Sequence, residues 1–273
     1  MNTTQSHPVL RCEGGRFYRY EQALLEEEPL LIRVEGQPYA VIMRTPGEES
    51  SHAAGFCLAE GLVDQPEDIA TLGYCDQMDA NVATVTLQPE RREKVASLLK
   101  RRGFISQTSC GICGKELIKD LCQTLDPVTD TTEITSGQAL ACINQLPRHQ
   151  QLYEQTGSSH AAMLLDSQLN LLAVAEDVGR HNALDKAIGK VFLEGGLPHA
   201  RVAVLSSRIS YELVQKAARA RLAILISMSR PTAFAVELGR TLRMTLACVC
   251  KTGGLLVFCG EERFKGGCHA RSS

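Results

Sequence analysis

Glu176-Asp177-Val178-Gly179-Arg180-His181-Asn182-Ala183-Leu184-Asp185-Lys186 is the stretch that organises the chain. It follows a strand and opens a helix. The predicted strand is Leu169–Ala175, and the helix runs from His181 to Leu193 with Ala183, Leu184, Ala187, Ile188 and Val191 on its buried face. His181 and Asp185 are four residues apart, share one helix face and can pair. A strand-to-helix turn carrying Gly and Arg offers free N–H groups to an anion or nucleotide. A helix cap by Asp177 or Asn182 would explain one polar residue here, but not the whole run.

The same texture extends outward from Thr156. Further strands are predicted at Ala161–Leu165, Arg201–Leu205, Leu222–Ile226, Met244–Cys250 and Leu255–Cys259. Helices are predicted at Tyr211–Ala220 and Pro231–Arg240. This order predicts an α/β domain over 136–273, a mixed sheet with helices. Its first helix starts at Ser136 as cap and runs to Leu146.

The N-terminal part, 1–105, reads as a smaller β-rich subdomain. Residues 1–28 read as a tail ending in Glu26-Glu27-Glu28. Leu30–Val34 and Pro38–Met43 form one hairpin, and Leu72–Tyr74 with Val82–Leu87 a second. A helix capped by Ser50 or Ser51 runs to Glu60, and another from Pro89 to Arg102. Between the two parts, 106–135 holds a cysteine loop and a linker, Asp126–Thr135, rich in Pro, Asp and Thr.

Composition narrows the class. The chain has 273 residues, 44% hydrophobic and 22% charged, so it can bury a substantial core. Its net charge of -2 provides no global field for nucleic acid, and aromatics at 5% without Trp argue against base stacking. Met1–Pro8 is polar and shows no secretory pattern. No apolar run reaches the roughly 18 residues of a membrane span. The eleven cysteines are an odd number in a large chain, which reads as free thiols in a reducing cytoplasm.

Two of them form Cys110-Gly111-Ile112-Cys113, glycine following each. Metal ligation, thiol–disulfide exchange and a nucleophilic thiolate with a helper thiol all use this spacing. Structural zinc needs four ligands, and the nearest second set is Cys248-Val249-Cys250 inside a predicted strand. A zinc deaminase needs H-x-E, and no His here is followed two residues later by Glu. A thioredoxin-like pair belongs after an early strand, not after a hundred residues of other structure. A sulfur carrier needs an exposed, mobile thiol in positive surroundings. Gly111, Gly114, Lys115 and Lys100-Arg101-Arg102 suit that role, and the glycines argue against idle, buried thiols. His160, in Thr156-Gly157-Ser158-Ser159-His160, and Ser206-Ser207-Arg208 and Ser229-Arg230-Pro231-Thr232 lie at predicted strand ends, where open α/β sheets bind ligands.

These stretches together resemble the formate dehydrogenase accessory sulfurtransferase family, FdhD. Its matching segments are Glu28-Pro29-Leu30, Met43-Arg44-Thr45-Pro46, Gly55-Phe56 with Glu60-Gly61, and Ser109–Gly114. They continue through Thr156-Gly157 with His160-Ala161-Ala162, the 176–186 run, and Ser207-Arg208 with Glu212 and Val214-Gln215-Lys216. The resemblance implies a cytidine-deaminase-like fold and a homodimer. It implies transfer of persulfide sulfur from a cysteine desulfurase to the molybdenum cofactor, Mo-bis(molybdopterin guanine dinucleotide), before insertion into formate dehydrogenase. Cys110 would carry the persulfide and Cys113 assist. The family's cofactor-binding segment falls on Val249-Cys250-Lys251-Thr252-Gly253-Gly254, with His160, His181 and Arg208 added to the cofactor site, and no resident metal is expected. Gly254 stands where the family commonly has a basic residue, and Val257-Phe258-Cys259 lacks the usual aromatic position. The tail Gly266-Gly267-Cys268-His269-Ala270 is also atypical. A cofactor-binding chaperone or a thiol redox protein without sulfur transfer is the alternative.

Overall fold

The structure is a computed structural model that describes residues 2–75, 80–96, 99 and 125–265. It opens not on a tail but on a hairpin, β1 (Thr4–Glu13) and β2 (Arg16–Leu25). Gly14 and Gly15, with φ of 57° and 76°, make its two-residue turn, the left-handed pair that matches strand twist. A second hairpin, β3 (Glu28–Val34) and β4 (Gln37–Arg44), turns at Glu35-Gly36, again with both φ positive.

Helix α1 (Glu49–Ala59) follows. Ser50 and Ser51 do not cap it. Its cap residue is Glu48 at φ 63°, and the Glu49 carboxylate takes the Gly47 N–H at 2.6 Å, so both serines fall in the first turn. Strands β5 (Ile69–Cys75) and β6 (Ala80–Leu87) pair antiparallel, and β6 lies parallel to β3. The four strands form a sheet in the order β4-β3-β6-β5. Helix α2 spans Pro89–Lys94, and most of the expected extension to Arg102 lies outside the described residues.

The C-terminal part matches the expected alternation, with shifted ends. Helix α3 (Ser136–Gln145) is capped one residue earlier than expected: Thr135 Oγ1 accepts the Gln138 N–H at 3.1 Å, and Gln138 Oε1 accepts the Thr135 N–H at 2.8 Å. Helix α4 (Gln151–Thr156) was not expected; the Glu176 carboxylate accepts its first N–H groups, from Leu152 and Tyr153. Then come β7 (His160–Asp166), β8 (Leu171–Asp177), α5 (Arg180–Leu193) and β9 (Ala200–Arg208). They are followed by α6 (Tyr211–Arg219), β10 (Ile224–Ser229), α7 (Ala233–Thr241), β11 (Thr245–Val249) and β12 (Leu255–Cys259). β8 starts late because Leu169, at φ 67°, belongs to the turn. α7 starts late because Thr232 Oγ1 caps it through the Ala235 N–H.

These strands form one mixed sheet in the order β12-β11-β10-β9-β7-β8. β9, β10 and β11 run parallel, and β7 and β12 run antiparallel to their neighbours. Ile224, Leu225 and Ile226 in the middle are fully buried, as a parallel strand covered on both faces must be. The fold is therefore mixed α/β with a β-rich N-terminal part.

The two sheets are joined by helix contact and by a buried polar lock. α1 and α5 cross on glycine: a Cβ at Gly55 would sit 1.9 Å from the Asp185 carbonyl oxygen, and one at Gly189 would sit 1.8 Å from that of Ser51. Beside this crossing, the fully buried Asp177 carboxylate receives four donors. They are Lys186 Nζ at 2.7 Å, the Thr45 N–H at 3.1 Å, and the Gly179 N–H and Asn182 Nδ2 at 2.8 Å each. Lys186 also donates to the Thr45 carbonyl at 2.8 Å, and Asn182 to that of Met43 at 2.8 Å.

Two predictions follow from this seam. Gly55→Ala will lower unfolding free energy in urea by about 2 kcal/mol or more, because the new methyl meets backbone that cannot yield. Asp177→Ala strands a buried ammonium and will cost about 3–5 kcal/mol, most of it recovered when Lys186→Met is added. Equal losses in the single and double variants would disprove the lock.

Candidate functional site

The sheet's topology gathers one edge. Because β9, β10 and β11 are parallel while β7 and β12 are reversed, their carboxyl ends adjoin the starts of β7 and β12 and the end of β8. That edge holds His160 at the start of β7, Arg180 and His181 at the start of α5, and Arg208 at the end of β9. It also holds the β10 end at Ser229-Arg230 and the Val249–Gly254 turn between β11 and β12. All the described residues expected for cofactor binding thus share one rim, as open α/β sheets require. Cys110 and Cys113 lie outside the described residues, as do Lys100-Arg101-Arg102 and Lys115.

The Val249–Gly254 segment is a tight turn rather than strand. The Cys250 N–H donates to the Gly254 carbonyl at 2.9 Å, and the Gly253 N–H to that of Cys250 at 3.0 Å. Gly253 and Gly254 take φ of 91° and 83°, which glycine accepts without strain. Since β11 stops at Val249, Cys248 is buried in the sheet and Cys250 is not, so the two do not form an in-strand C-x-C face. Cys250 Sγ lies 3.1 Å from Thr252 Oγ1. The Thr252 hydroxyl and N–H, with Arg230 nearby, hold the Cys250 thiol below its ordinary range. A depression of about 410 Å³ opens here, lined by Met228, Ser229, Arg230, Val249 and Lys251.

At the other end of the rim, His181 does not pair with Asp185. Its Nε2 lies 2.9 Å from Glu212 Oε2 and 3.1 Å from Ser210 Oγ. Asp185 is buried and bound instead by Lys216 Nζ, at 2.7 and 2.9 Å from its two oxygens. Serine and carboxylate share one ring nitrogen, so this is no Ser-His-acid relay, in which the acid holds the opposite nitrogen. The bond from His181 is the main cause that holds Glu212 below the usual carboxylate range. Burial, then the charges of Arg180 and His181, push His160 toward its neutral form. Burial, then the charge of Arg208, lower the Arg180 guanidinium, against the opposing charge of Glu212. The rim is therefore cationic along its length and suited to an anionic, phosphate-bearing ligand.

The 176–186 run divides between two tasks. Glu176 caps α4 and takes the Ser159 hydroxyl at 2.6 Å, while Asp177, Asn182 and Lys186 form the seam. Gly179 has no room for a side chain, since a Cβ would lie 2.7 Å from Asn182 Nδ2. Only Arg180 and His181 reach the rim. Sequence reasoning placed Arg180 and Arg230 in ligand-binding turns at strand ends and missed Ser210 and Glu212 as site residues. Arg180 and Arg230 were legible as cations beside strand ends, whereas the His181–Glu212 contact joins two helices and leaves no local spacing signal. Among the described residues, no three His, Cys, Asp or Glu side chains gather as metal ligands.

Known proteins resemble this chain over most of its length. The model of the FdhD/NarQ family matches residues 25–265. A sulfur carrier protein FdhD from Streptomyces coelicolor is 34% identical over 270 residues, covering 95% of each chain. One from Mycobacterium tuberculosis is 36% identical over 254 residues, covering 89% of this chain and 91% of its own. A crystal structure from Desulfotalea psychrophila, described as a formate dehydrogenase accessory protein, superposes with a TM-score of 0.76 at 20% identity, over 96% of this chain and 100% of its own. The solved structure shares the fold, and the family match over residues 25–265 with the relatives at 34–36% identity establishes that this chain belongs to the FdhD/NarQ family.

Proposed function

We propose that the protein carries sulfur from a cysteine desulfurase to the molybdenum cofactor, Mo-bis(molybdopterin guanine dinucleotide), before that cofactor enters formate dehydrogenase. The observation that carries the reading is the cationic rim: Arg230 and Lys251 line a depression of about 410 Å³, and Arg180 and Arg208 stand elsewhere along the same sheet edge. A guanine dinucleotide supplies the phosphates such a rim would bind. The relatives' name as sulfur carriers supports the transfer step. The working unit is a homodimer in the cytoplasm. No helix among the described residues is long and apolar enough to cross a membrane.

In this reading the Cys110 thiolate attacks the outer sulfur of the donor's persulfide. The donor leaves as a thiolate, and Cys110 holds the persulfide. Cys113 then attacks the Cys110 sulfur. The terminal sulfur departs as hydrosulfide to the cofactor, and a Cys110–Cys113 disulfide remains. Two thiols are oxidised as one sulfane sulfur is reduced, and a dithiol reductant resets the pair. The rim's residues bind and orient the cofactor.

Mass spectrometry after incubation with a desulfurase and cysteine will show one added sulfur on the peptide holding Cys110. The Cys110→Ala variant will neither accept sulfur nor support formate dehydrogenase activation. Sulfur uptake without Cys110 overturns the carrier assignment. Binding of guanine nucleotide with no sulfur uptake in the parent chain would instead establish the chaperone. A second measurement tests the rim. Arg208→Ala will weaken guanosine diphosphate binding about tenfold or more in calorimetry, the loss expected for a charged hydrogen bond, while sulfur uptake persists. Unchanged affinity would remove Arg208 from the site.

A further inference from the structure

Strands β1 and β2 make a sheet of two, and among the described residues neither has another strand beside it. Such a hairpin is marginal in water by itself. It is also unusually apolar at its surface: Phe17 is 67% exposed, Tyr18 48% and Tyr20 46%. Among the described residues its support is at the base, where Gln22 Nε2 donates at 3.2 Å to the Gln155 carbonyl of α4. All of the hairpin but its last residue, Leu25, lies before the start of the family match.

The two outer edges differ. The Glu26 N–H donates to the Thr3 carbonyl at 2.9 Å, and the register continues Thr4 opposite Leu25. In an antiparallel ladder, hydrogen-bonded pairs alternate with non-bonded ones. Val9 with Tyr20 and Arg11 with Tyr18 are therefore bonded pairs, and the N–H and C=O groups of Phe17, Arg19 and Glu21 point outward. On β1 the outward set includes Pro8, which has no N–H to offer. One edge is thus blunted by proline and the other, on β2, is open.

We propose that the open edge of β2 pairs antiparallel with the same edge of a second copy, joining two hairpins into one four-stranded sheet. This deepens the homodimer reading above, on which it rests, by saying where the copies meet. The occupant follows from the strand's own charge pattern. A two-fold axis normal to the sheet must place one residue opposite itself. An axis at Arg19 or Glu21 would oppose like charges. An axis at Tyr20 would bring the partner's Phe17 against Ala23, where Gln22 and α4 already stand. An axis at Tyr18 sets Phe17 opposite the partner's Arg19, and Arg16 opposite the partner's Tyr20. Each cation then meets a ring, four times over.

This register places Tyr18 at a non-bonded pair with itself, whose close Cα spacing suits a disulfide. Tyr18→Cys, made in a Cys12→Ser chain and oxidised with glutathione disulfide, will cross-link as a dimer through position 18. Arg19→Pro removes an outward N–H. Light scattering will give twice 29.8 kDa for the parent chain and 29.8 kDa for this variant, with sulfur uptake on Cys110 unchanged. A variant that stays dimeric, or a failure to link at position 18, overturns the interface and leaves the homodimer standing. A parent chain that is itself monomeric overturns both, independently of whether it carries sulfur.

Discussion

The buried carboxylate of Asp177 is the constraint on which the arrangement depends. A bare carboxylate taken out of water loses several kcal/mol of solvation, so it persists only where its lone pairs are filled. Here four donors fill them, and they come from two regions of the chain: Thr45 just after β4, and Gly179, Asn182 and Lys186 from the cap and first half of α5. Removing any one leaves a charge or dipole unmatched. The segment after β4 is thereby fixed against the end of β8. Asp177 also lies opposite His160 in the sheet register, so the same carboxylate that holds the seam sets the first position of the rim.

The rim inherits its character from this lock. With Lys186 spent on Asp177 and Lys216 on Asp185, the inward cations are neutralised locally. Arg208 and Glu212 act on Arg180 with opposite sign, and Glu212 also meets His181 at 2.9 Å. Like charges held together on a rigid frame raise the energy of the empty site. An anion bound there would relieve that repulsion, so part of its binding energy would be prepared before it arrives. Helix packing stiffens the frame. Gly55 and Gly189 let α1 and α5 touch through backbone, and a contact of that kind does not slide without opening a void.

Much of this was legible in the sequence because it is periodic. The strand–helix alternation after Thr156 appears in the folded chain, and the apolar runs mark strands covered on both faces. The ends were misjudged where one residue decides them. Thr135 and Thr232 cap where Ser136 and Pro231 had been expected to begin helices, and Leu169 turns through positive φ where a strand was expected. The N-terminal hairpin was missed although Gly14-Gly15 is a strong turn signal, because its strands face water and show no clean apolar alternation. At the site, strand-end cations were readable from position. What His181 binds was not, since Glu212 and Asp185 are both acidic residues on helices and spacing favoured the nearer one.

The thiols argue in the same direction as the rim. Burial raises Cys57, Cys142, Cys248 and Cys259 above the ordinary thiol range. A thiol is a poor nucleophile until it ionises, so these four are core residues first and reagents last. Cys250 is the opposite case: it stands on the rim beside Thr252 and Arg230 and is lowered. Sulfur found on this protein could therefore sit at the glycine-flanked pair or at the acceptor rim itself. The total mass cannot distinguish these two, which is why the carrier assignment has to be made on the labelled peptide. A persulfide that forms only at Cys110 belongs to delivery, whereas one at Cys250 would place the thiol chemistry inside the site proposed for the cofactor.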